Sequence, residues 1–93
     1  VAPIMAFDRF DEAIRLANDT PYGLVAYVFT NDLKTAILAA ERLEAGTVGI
    51  NNVAGGEVPF PYGGWKESGI GVELSHHGIE EYLLIKHVRV EFM

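Results

Sequence analysis

The sequence contains no cysteine among its 93 residues. This absence excludes a disulfide scaffold, a thiolate zinc site and a cysteine nucleophile within the chain. Basic residues are also scarce, because seven lysines and arginines stand against thirteen aspartates and glutamates and give a formal net charge of -6. A chain this acidic is a poor ligand for nucleic acid or for an anionic membrane surface, and we expect neither as a partner.

Long hydrophobic runs are missing as well. No apolar run in the sequence is long enough to cross a bilayer, and the first residues lack the basic region of a signal peptide. We therefore expect a cytoplasmic protein. The composition, with 49% hydrophobic and 22% charged residues, is that of a folded globular chain. Because the chain begins with Val1 rather than methionine, we also expect it to be a segment of a longer protein.

Three short apolar stretches predict buried β-strands at residues 1–7, 24–29 and 47–50. Between them, apolar residues recur with helical spacing, so each interval predicts a helix with one apolar face. Regular alternation of buried strands with helices favours parallel pairing and right-handed crossovers. The first half of the chain is therefore predicted to be α/β, as a partial parallel βαβαβ unit.

The two predicted helices have recognisable ends. Asp8 is expected to cap the first helix, and Pro21 follows its last turn because proline cannot continue the helical hydrogen bonding. Asn31 or Asp32 is expected to cap the second helix. Gly46 stands where a left-handed C-cap of that helix would lie.

The regular pattern stops after the third predicted strand. Residues 51–71 contain six glycines and two prolines, and so long an irregular segment is usually functional or disordered. The aromatic residues Phe60, Tyr62 and Trp65 favour order. A short helix is predicted from Ser75, and residues 85–92 alternate apolar and charged side chains, which predicts a half-exposed strand with an unpaired edge.

Two longer motifs carry an identification. One is Ala-Asn-Asp-Thr-Pro-Tyr-Gly-Leu at residues 17–24, and the other is Pro-Tyr-Gly-Gly-Trp-Lys-Glu-Ser-Gly-Ile-Gly at residues 61–71. Between and after them stand Gly-Thr-Val-Gly-Ile-Asn at 46–51 and Gly-Ile-Glu-Glu-Tyr at 78–82. In this order the motifs closely resemble the C-terminal segment of the NAD(P)-dependent aldehyde dehydrogenase superfamily, in particular its semialdehyde and betaine-aldehyde dehydrogenase-like members.

The resemblance implies both a fold and a chemistry. Residues 1–74 would be the C-terminal part of a catalytic domain with a substrate-pocket loop at 51–71, and residues 75–93 a short helix and an oligomerisation strand. Enzymes of this family oxidise an aldehyde to an acid through a cysteine thiohemiacetal that gives hydride to NAD or NADP. Their nucleophile, general base and cofactor domain lie upstream, so no catalytic or cofactor-binding residue falls on this chain. We expect the chain alone to be inactive.

The resemblance also places a substrate pocket and the partners. Tyr62 corresponds to the aromatic residue that packs against the bound aldehyde. The other residues that would line or shape the same loop are Asn51, Val53, Gly55, Gly56 and Glu57. An acidic Glu57 would favour a neutral or cationic aldehyde over a carboxylate-bearing one. The implied partners are the remainder of the dehydrogenase chain, an aldehyde, and further copies of the subunit through residues 85–92.

Other interpretations remain open at this point. The chain is alternatively a stand-alone α/β interaction module derived from such a segment, or a non-hydrolytic relative such as an acyl-phosphate reductase. The glycines and lysine of residues 63–71 suit a tight structural turn better than a phosphate loop, since the spacing is not that of a Walker motif. His76 and His77 are adjacent and are expected to point in different directions, so we expect no metal site there.

Overall fold

The computed structural model describes residues 1–53 and 57–92. Within these ranges it contains three α-helices, α1 (Phe10–Asn18), α2 (Leu33–Arg42) and α3 (Ser75–Glu80). It also contains four short β-strands, β1 (Tyr22–Gly23), β2 (Val25–Val28), β3 (Thr47–Ile50) and β4 (Trp65–Lys66). The radius of gyration is 18.4 Å, whereas a compact domain of this length has about 12 Å, so parts of the chain extend away from the folded portion.

The centre of the fold is a parallel pair of strands with a helix between them. β2 and β3 pair in parallel, with Val25 opposite Thr47 and Val28 opposite Ile50, and α2 connects them. The amide of Asn51 continues the ladder by donating to the carbonyl of Val28 at 2.8 Å. The predicted strand at 47–50 and the parallel direction of this pair are therefore observed.

Helix α2 shows how the sequence sets its ends. Asp32 is the N-cap, and its carboxylate accepts hydrogen bonds from the amide of Thr35 at 2.7 Å and from the hydroxyl of Thr35 at 2.5 Å. These two bonds hold the pKa of Asp32 below its ordinary value. On the inner side of α2 and just beyond its end lie the buried hydrophobic residues of the described chain, Ala39, Leu43 and Ala45.

The predicted glycine C-cap of α2 is wrong. The helix ends at Arg42, and Leu43 adopts an extended conformation instead of leading to a left-handed Gly46. The physical reason is a side chain from α1. Asn18 donates from its amide to the carbonyl of Arg42 at 2.9 Å and accepts from the amide of Glu44 at 2.9 Å, so the helix end is satisfied without a glycine.

Helix α1 begins one residue later than the sequence suggests. Arg9 is its N-cap and provides no side-chain hydrogen bond, which corrects the prediction of Asp8. The amide of Asp8 instead donates to the carboxylate of Glu12 at 3.3 Å. Asp11 and Glu12 lie in the first turn, where their negative charge interacts favourably with the helix dipole.

The two terminal segments differ from the prediction. Residues 1–7 and 85–92 form no strand in the described structure, so only two of the three predicted parallel strands pair. Their apolar side chains stay in solvent, with Ile4 96% and Ile85 103% exposed. A strand is stabilised only by a neighbouring strand, and residues 1–53 and 57–92 offer neither segment such a partner.

Candidate functional site

The two sequence motifs meet in space through a small antiparallel ladder. β1 pairs with β4, with Tyr22 opposite Lys66 and Gly23 opposite Trp65. The hydroxyl of Ser68 accepts a further hydrogen bond from the amide of Gly23 at 2.8 Å. This pairing, which sequence periodicity did not predict, fixes the glycine-rich loop against the end of α1 and the start of β2.

Polar contacts of one ammonium group stabilise this pairing of β1 with β4. The lysine cluster consists of Lys66, Asn18, Thr20 and Glu44. The Nζ of Lys66 donates to the carbonyl of Asn18 at 2.8 Å and to that of Thr20 at 3.1 Å. It also forms an ion pair with the carboxylate of Glu44 at 2.5 Å. The ammonium thus has three partners from the first motif and from the turn after α2.

The backbone of Lys66 carries strain that these contacts offset. Its φ is 53°, in the left-handed region that residues other than glycine rarely adopt. Such conformations persist when the surroundings determine them, and here the strand pairing and the ammonium contacts do so. The loop is therefore held from two sides, by its backbone and by a side chain.

Close backbone packing adds a third constraint on the loop. A Cβ placed on Gly46 would collide with the carbonyl oxygen of Gly63. A Cβ on Gly64 would come within 2.6 Å of Ser68. Only glycine allows the start of β3 and the loop to approach this closely. Gly46 thus acts through close approach rather than as a helix cap.

Tyr62 lies at the end of this fixed loop. Its amide donates to the carbonyl of Glu73 at 2.8 Å, and its carbonyl accepts from the amide of Glu73 at 2.8 Å. Tyr62 is half-buried and lines a cleft of about 330 Å³ above β3. The other lining side chains are mainly apolar, and they include Tyr27, Ile50, Phe60 and Pro61.

The structure brings two of the predicted pocket residues into that cleft. Tyr62 and Glu57 both line it, and Glu57 is exposed. Asn51 lies outside it, because its side chain accepts from the amide of Thr30 at 2.9 Å and donates to the carbonyl of Thr30 at 2.8 Å. Val53 is exposed and does not line the cleft. Their roles in a larger pocket stay predictions.

Two further predicted residues, Gly55 and Gly56, fall outside the described residues. Sequence reasoning missed Tyr27 and Phe60 as cleft residues. A signal existed for Phe60, because a large aromatic residue between Pro59 and Pro61 is held in a restricted backbone. For Tyr27 the sequence did not show which face of the strand its side chain lies on, since nearly all residues of β2 are apolar.

The described lining of the cleft contains few polar side chains. They come from Tyr27, Thr47, Asn52, Glu57 and Tyr62, and no serine, cysteine, histidine or lysine is among them. The remaining lining is apolar and suits a small organic ligand, and the carboxylate of Glu57 adds a negative charge.

The adjacent histidines behave differently from the prediction. The imidazole rings of His76 and His77 lie against each other, with centroids 4.0 Å apart and planes inclined by 37°. Successive helical positions direct Cβ atoms apart, but rotation about the side-chain bonds brings the two rings together. The expectation that they point in different directions is therefore wrong.

No helix in residues 1–53 and 57–92 is long and apolar enough to span a membrane.

Sequence comparison decides the family. Residues 1–88 match the profile of the aldehyde dehydrogenase family. The chain belongs to this family. It is 48% identical over 90 residues to a probable succinate-semialdehyde dehydrogenase [NADP(+)] of Sinorhizobium fredii, a match that covers 97% of the chain. It is 46% identical over 91 residues to aldehyde dehydrogenase [NAD(P)+] 2 of Saccharomyces cerevisiae, which covers 98% of the chain.

The chain spans about 18% of the length of these aldehyde dehydrogenase relatives. Its structure agrees with the same conclusion. It superimposes on part of betaine aldehyde dehydrogenase from Staphylococcus aureus, solved with NAD+, with a TM-score of 0.85 and 48% identity. That match covers 88% of this chain and 16% of the other. The family resemblance inferred from the motifs is thereby confirmed, and the fold is a small α/β part of an aldehyde dehydrogenase.

Proposed function

We propose that this chain is the C-terminal part of an NAD(P)-dependent aldehyde dehydrogenase subunit and contributes one wall of the aldehyde pocket. The observation that carries the proposal is the apolar cleft beside Tyr62, on a loop that the two family motifs hold in place. The relatives are named for NAD(P)+-dependent oxidation of aldehydes. The chain supplies no catalytic cysteine, since it contains none.

The residues present indicate which steps this chain and the upstream part of the subunit would each perform. In the intact subunit, upstream residues would form the thiohemiacetal, and NAD or NADP bound there would accept the hydride. Tyr62 and its apolar neighbours would hold the aldehyde and keep bulk water from it. Residues 85–92 would pair with a further subunit, which gives their apolar face a cover.

The described residues do not themselves fit a dinucleotide. The glycine-rich stretch at 63–71 is the natural candidate for a phosphate site, but the ammonium of Lys66 is already occupied by two carbonyls and the Glu44 carboxylate. The backbone of Gly64 is packed against Ser68. Consequently we assign no cofactor contact to this chain, and we propose that it binds neither NAD nor NADP alone.

Glu57 bears on the choice of aldehyde. Its carboxylate lines the cleft and opposes a second carboxylate, so the pocket favours a neutral or cationic aldehyde. Of the relatives, one is named for betaine aldehyde, which is cationic, and another for succinate semialdehyde, which is anionic. The charge of Glu57 supports a substrate class like that of the first.

A chimera tests the proposal with an active enzyme. The matched segment of the yeast aldehyde dehydrogenase is replaced by this chain, and NADH or NADPH formation is followed with several aldehydes. We expect the chimera to be active, the isolated chain to be inactive, and Tyr62→Ala in the chimera to lower kcat/KM for the aldehyde roughly tenfold. Tyr62→Phe, the matched control, keeps the ring and should retain activity.

The same experiment can contradict the proposal. Aldehyde-dependent NAD(P)H formation by the isolated chain would show that chemistry resides here. An active chimera in which Tyr62→Ala changes kcat/KM for no aldehyde would remove Tyr62 from the pocket. A higher KM for NAD+ with an unchanged KM for the aldehyde would place Tyr62 at the cofactor instead.

A further inference from the structure

Helix α3 carries a compact group of metal-binding side chains. His76, His77 and Glu80 each offer one ligand atom, and these atoms lie within 4.8 Å of one another. The Nδ1 of His77 is 3.5 Å from the carboxylate oxygen Oε2 of Glu80. All three side chains are exposed, and none belongs to the lining of the Tyr62 cleft.

We propose that His76, His77 and Glu80 form a binding site for a divalent transition-metal ion such as Zn²⁺. Imidazole nitrogens and a carboxylate oxygen form a donor set that suits zinc, nickel or copper. The site has three protein ligands, so water or a group from another molecule would complete the coordination.

The spacing matches what such an ion requires. A tetrahedral zinc ion with bonds of about 2.1 Å keeps its ligand atoms about 3.4 Å apart. The separation between His77 and Glu80 already has this value at 3.5 Å. All the ligand atoms of the group lie within 4.8 Å of one another, and rotations of the exposed side chains would bring them to the distances that zinc requires.

The local charge favours a cation. The segment from Glu67 to Ile85 contains no lysine or arginine, whereas Glu73, Glu80 and Glu81 lie beside the histidines in the sequence. Acidic groups around a site raise the local concentration of cations. A metal ion here meets no positively charged neighbour along its own helix.

Backbone hydrogen bonds fix the start of α3 to neighbouring segments of the chain. The amide of Ser75, the first residue of α3, donates to the carbonyl of Val58 at 2.8 Å. Two residues earlier, Glu73 forms its paired hydrogen bonds with Tyr62. An ion on α3 is therefore connected through the backbone to the loop of the cleft, and its binding should stabilise that loop against unfolding.

Titration of the chain with Zn²⁺ tests the site. The protein is prepared without a histidine tag, binding is measured by calorimetry, and amide NMR spectra locate it. We expect one saturable ion per chain, a rise in the melting temperature, and shifts centred on α3. His76→Ala or His77→Ala should weaken binding at least about tenfold, since even second-shell changes cost this much. Glu80→Gln should weaken it as well.

His87→Ala is the matched control, because His87 is exposed and lies outside the cluster. It should bind Zn²⁺ like the parent, and circular dichroism should show that every variant keeps the parental secondary structure. The proposal is overturned if the folded parent shows no saturable binding. It is equally overturned if the two histidine variants bind as tightly as the parent, or if His87→Ala alone abolishes binding.

Discussion

The folded part of this chain and its two terminal segments contain similar apolar residues, which are buried in the first and exposed to solvent in the second. In the folded part, Ala39 and Leu43 are 1% and 6% exposed beneath α2. In the terminal segments, Ile85 and Phe92 are 103% and 95% exposed. The folded part finds its partners within the chain, through β2 with β3 and β1 with β4. The ends find no partner strand among residues 1–53 and 57–92, and their apolar surface stays exposed.

This difference shows which interactions hold the chain together. Helices α1 and α2 satisfy their hydrogen bonds internally, so they form even where few side chains are buried. A strand has no such internal source of stability, so residues 1–7 and 85–92 remain unpaired although their patterns suit strands. The folded part is, in turn, anchored by a few contacts between distant residues. Removing those contacts should therefore destabilise the folded part and expose its apolar residues, as in the terminal segments.

The largest loss is expected from Gly46→Ala. The added Cβ would collide with the carbonyl oxygen of Gly63, a backbone atom that cannot rotate away as a flexible side chain would. Overpacking that cannot relax costs about 3 kcal/mol or more, which is a large share of the stability of so short a chain. Chemical denaturation followed by circular dichroism measures the loss.

Gly69→Ala is the control for this change, because a Cβ there would lie 3.1 Å from its nearest neighbour and needs only a slight adjustment. Equal destabilisation by the two substitutions would mean that the approach of Gly46 to Gly63 has no special role.

The second prediction concerns the lysine cluster. Lys66→Met keeps the length of the side chain but removes two hydrogen bonds and an ion pair that hold a residue of positive φ. Because the ammonium is only partly exposed, the expected loss is about 1–3 kcal/mol. Lys86→Met, at an exposed lysine of the C-terminal segment, should change the unfolding free energy little. If both variants unfold at the same denaturant concentration, the cluster does not anchor the loop.

The contacts of the lysine cluster could not be predicted from the sequence, whereas some local features could. The span of β3 and the cap of α2, for which Asp32 was one of two candidates, could be predicted because short sequence patterns carry them. The role of Tyr62 in a substrate pocket stays a prediction. The contacts of Lys66 with Asn18 and Thr20 span 48 and 46 residues, and no local pattern encodes them. The same holds for the end of α2, where a side chain of α1 replaced the expected glycine.

The third prediction addresses the C-terminal segment. If residues 85–92 pair with another copy, their apolar face, including Val90, becomes buried on association. Val90→Glu would then place an unpaired charge in the contact and weaken self-association at least about tenfold, measurable by sedimentation. His87→Glu adds the same charge on the opposite face and should have little effect. A parent chain that stays monomeric at high concentration would show that this segment does not pair with copies of itself.

The smallest effect is expected at the cap of α2, where the contact is local and fully exposed. The hydrogen bonds from Thr35, first from its hydroxyl and then from its amide, lower the pKa of Asp32. A carboxyl with a lowered folded pKa stabilises the fold above its unfolded pKa, and this contribution disappears as the pH falls through the folded value. Asp32→Ala should therefore lower the melting temperature slightly at neutral pH and not at all once the parent carboxyl is protonated.

Asp19→Ala is the control for the cap, because Asp19 follows α1 and caps it only through its backbone amide. An NMR titration of the Asp32 carboxyl carbon measures the pKa directly, and a value at or above that of an unfolded peptide would contradict the cap. A persistent difference between Asp32→Ala and the parent in acid would also count against it, since the stabilisation would then not depend on the carboxylate. Either result would mean that α2 is stabilised by the packing of Ala39 and Leu43 and not by its local cap. The helix would then depend on tertiary contacts, as the glycine-rich loop does.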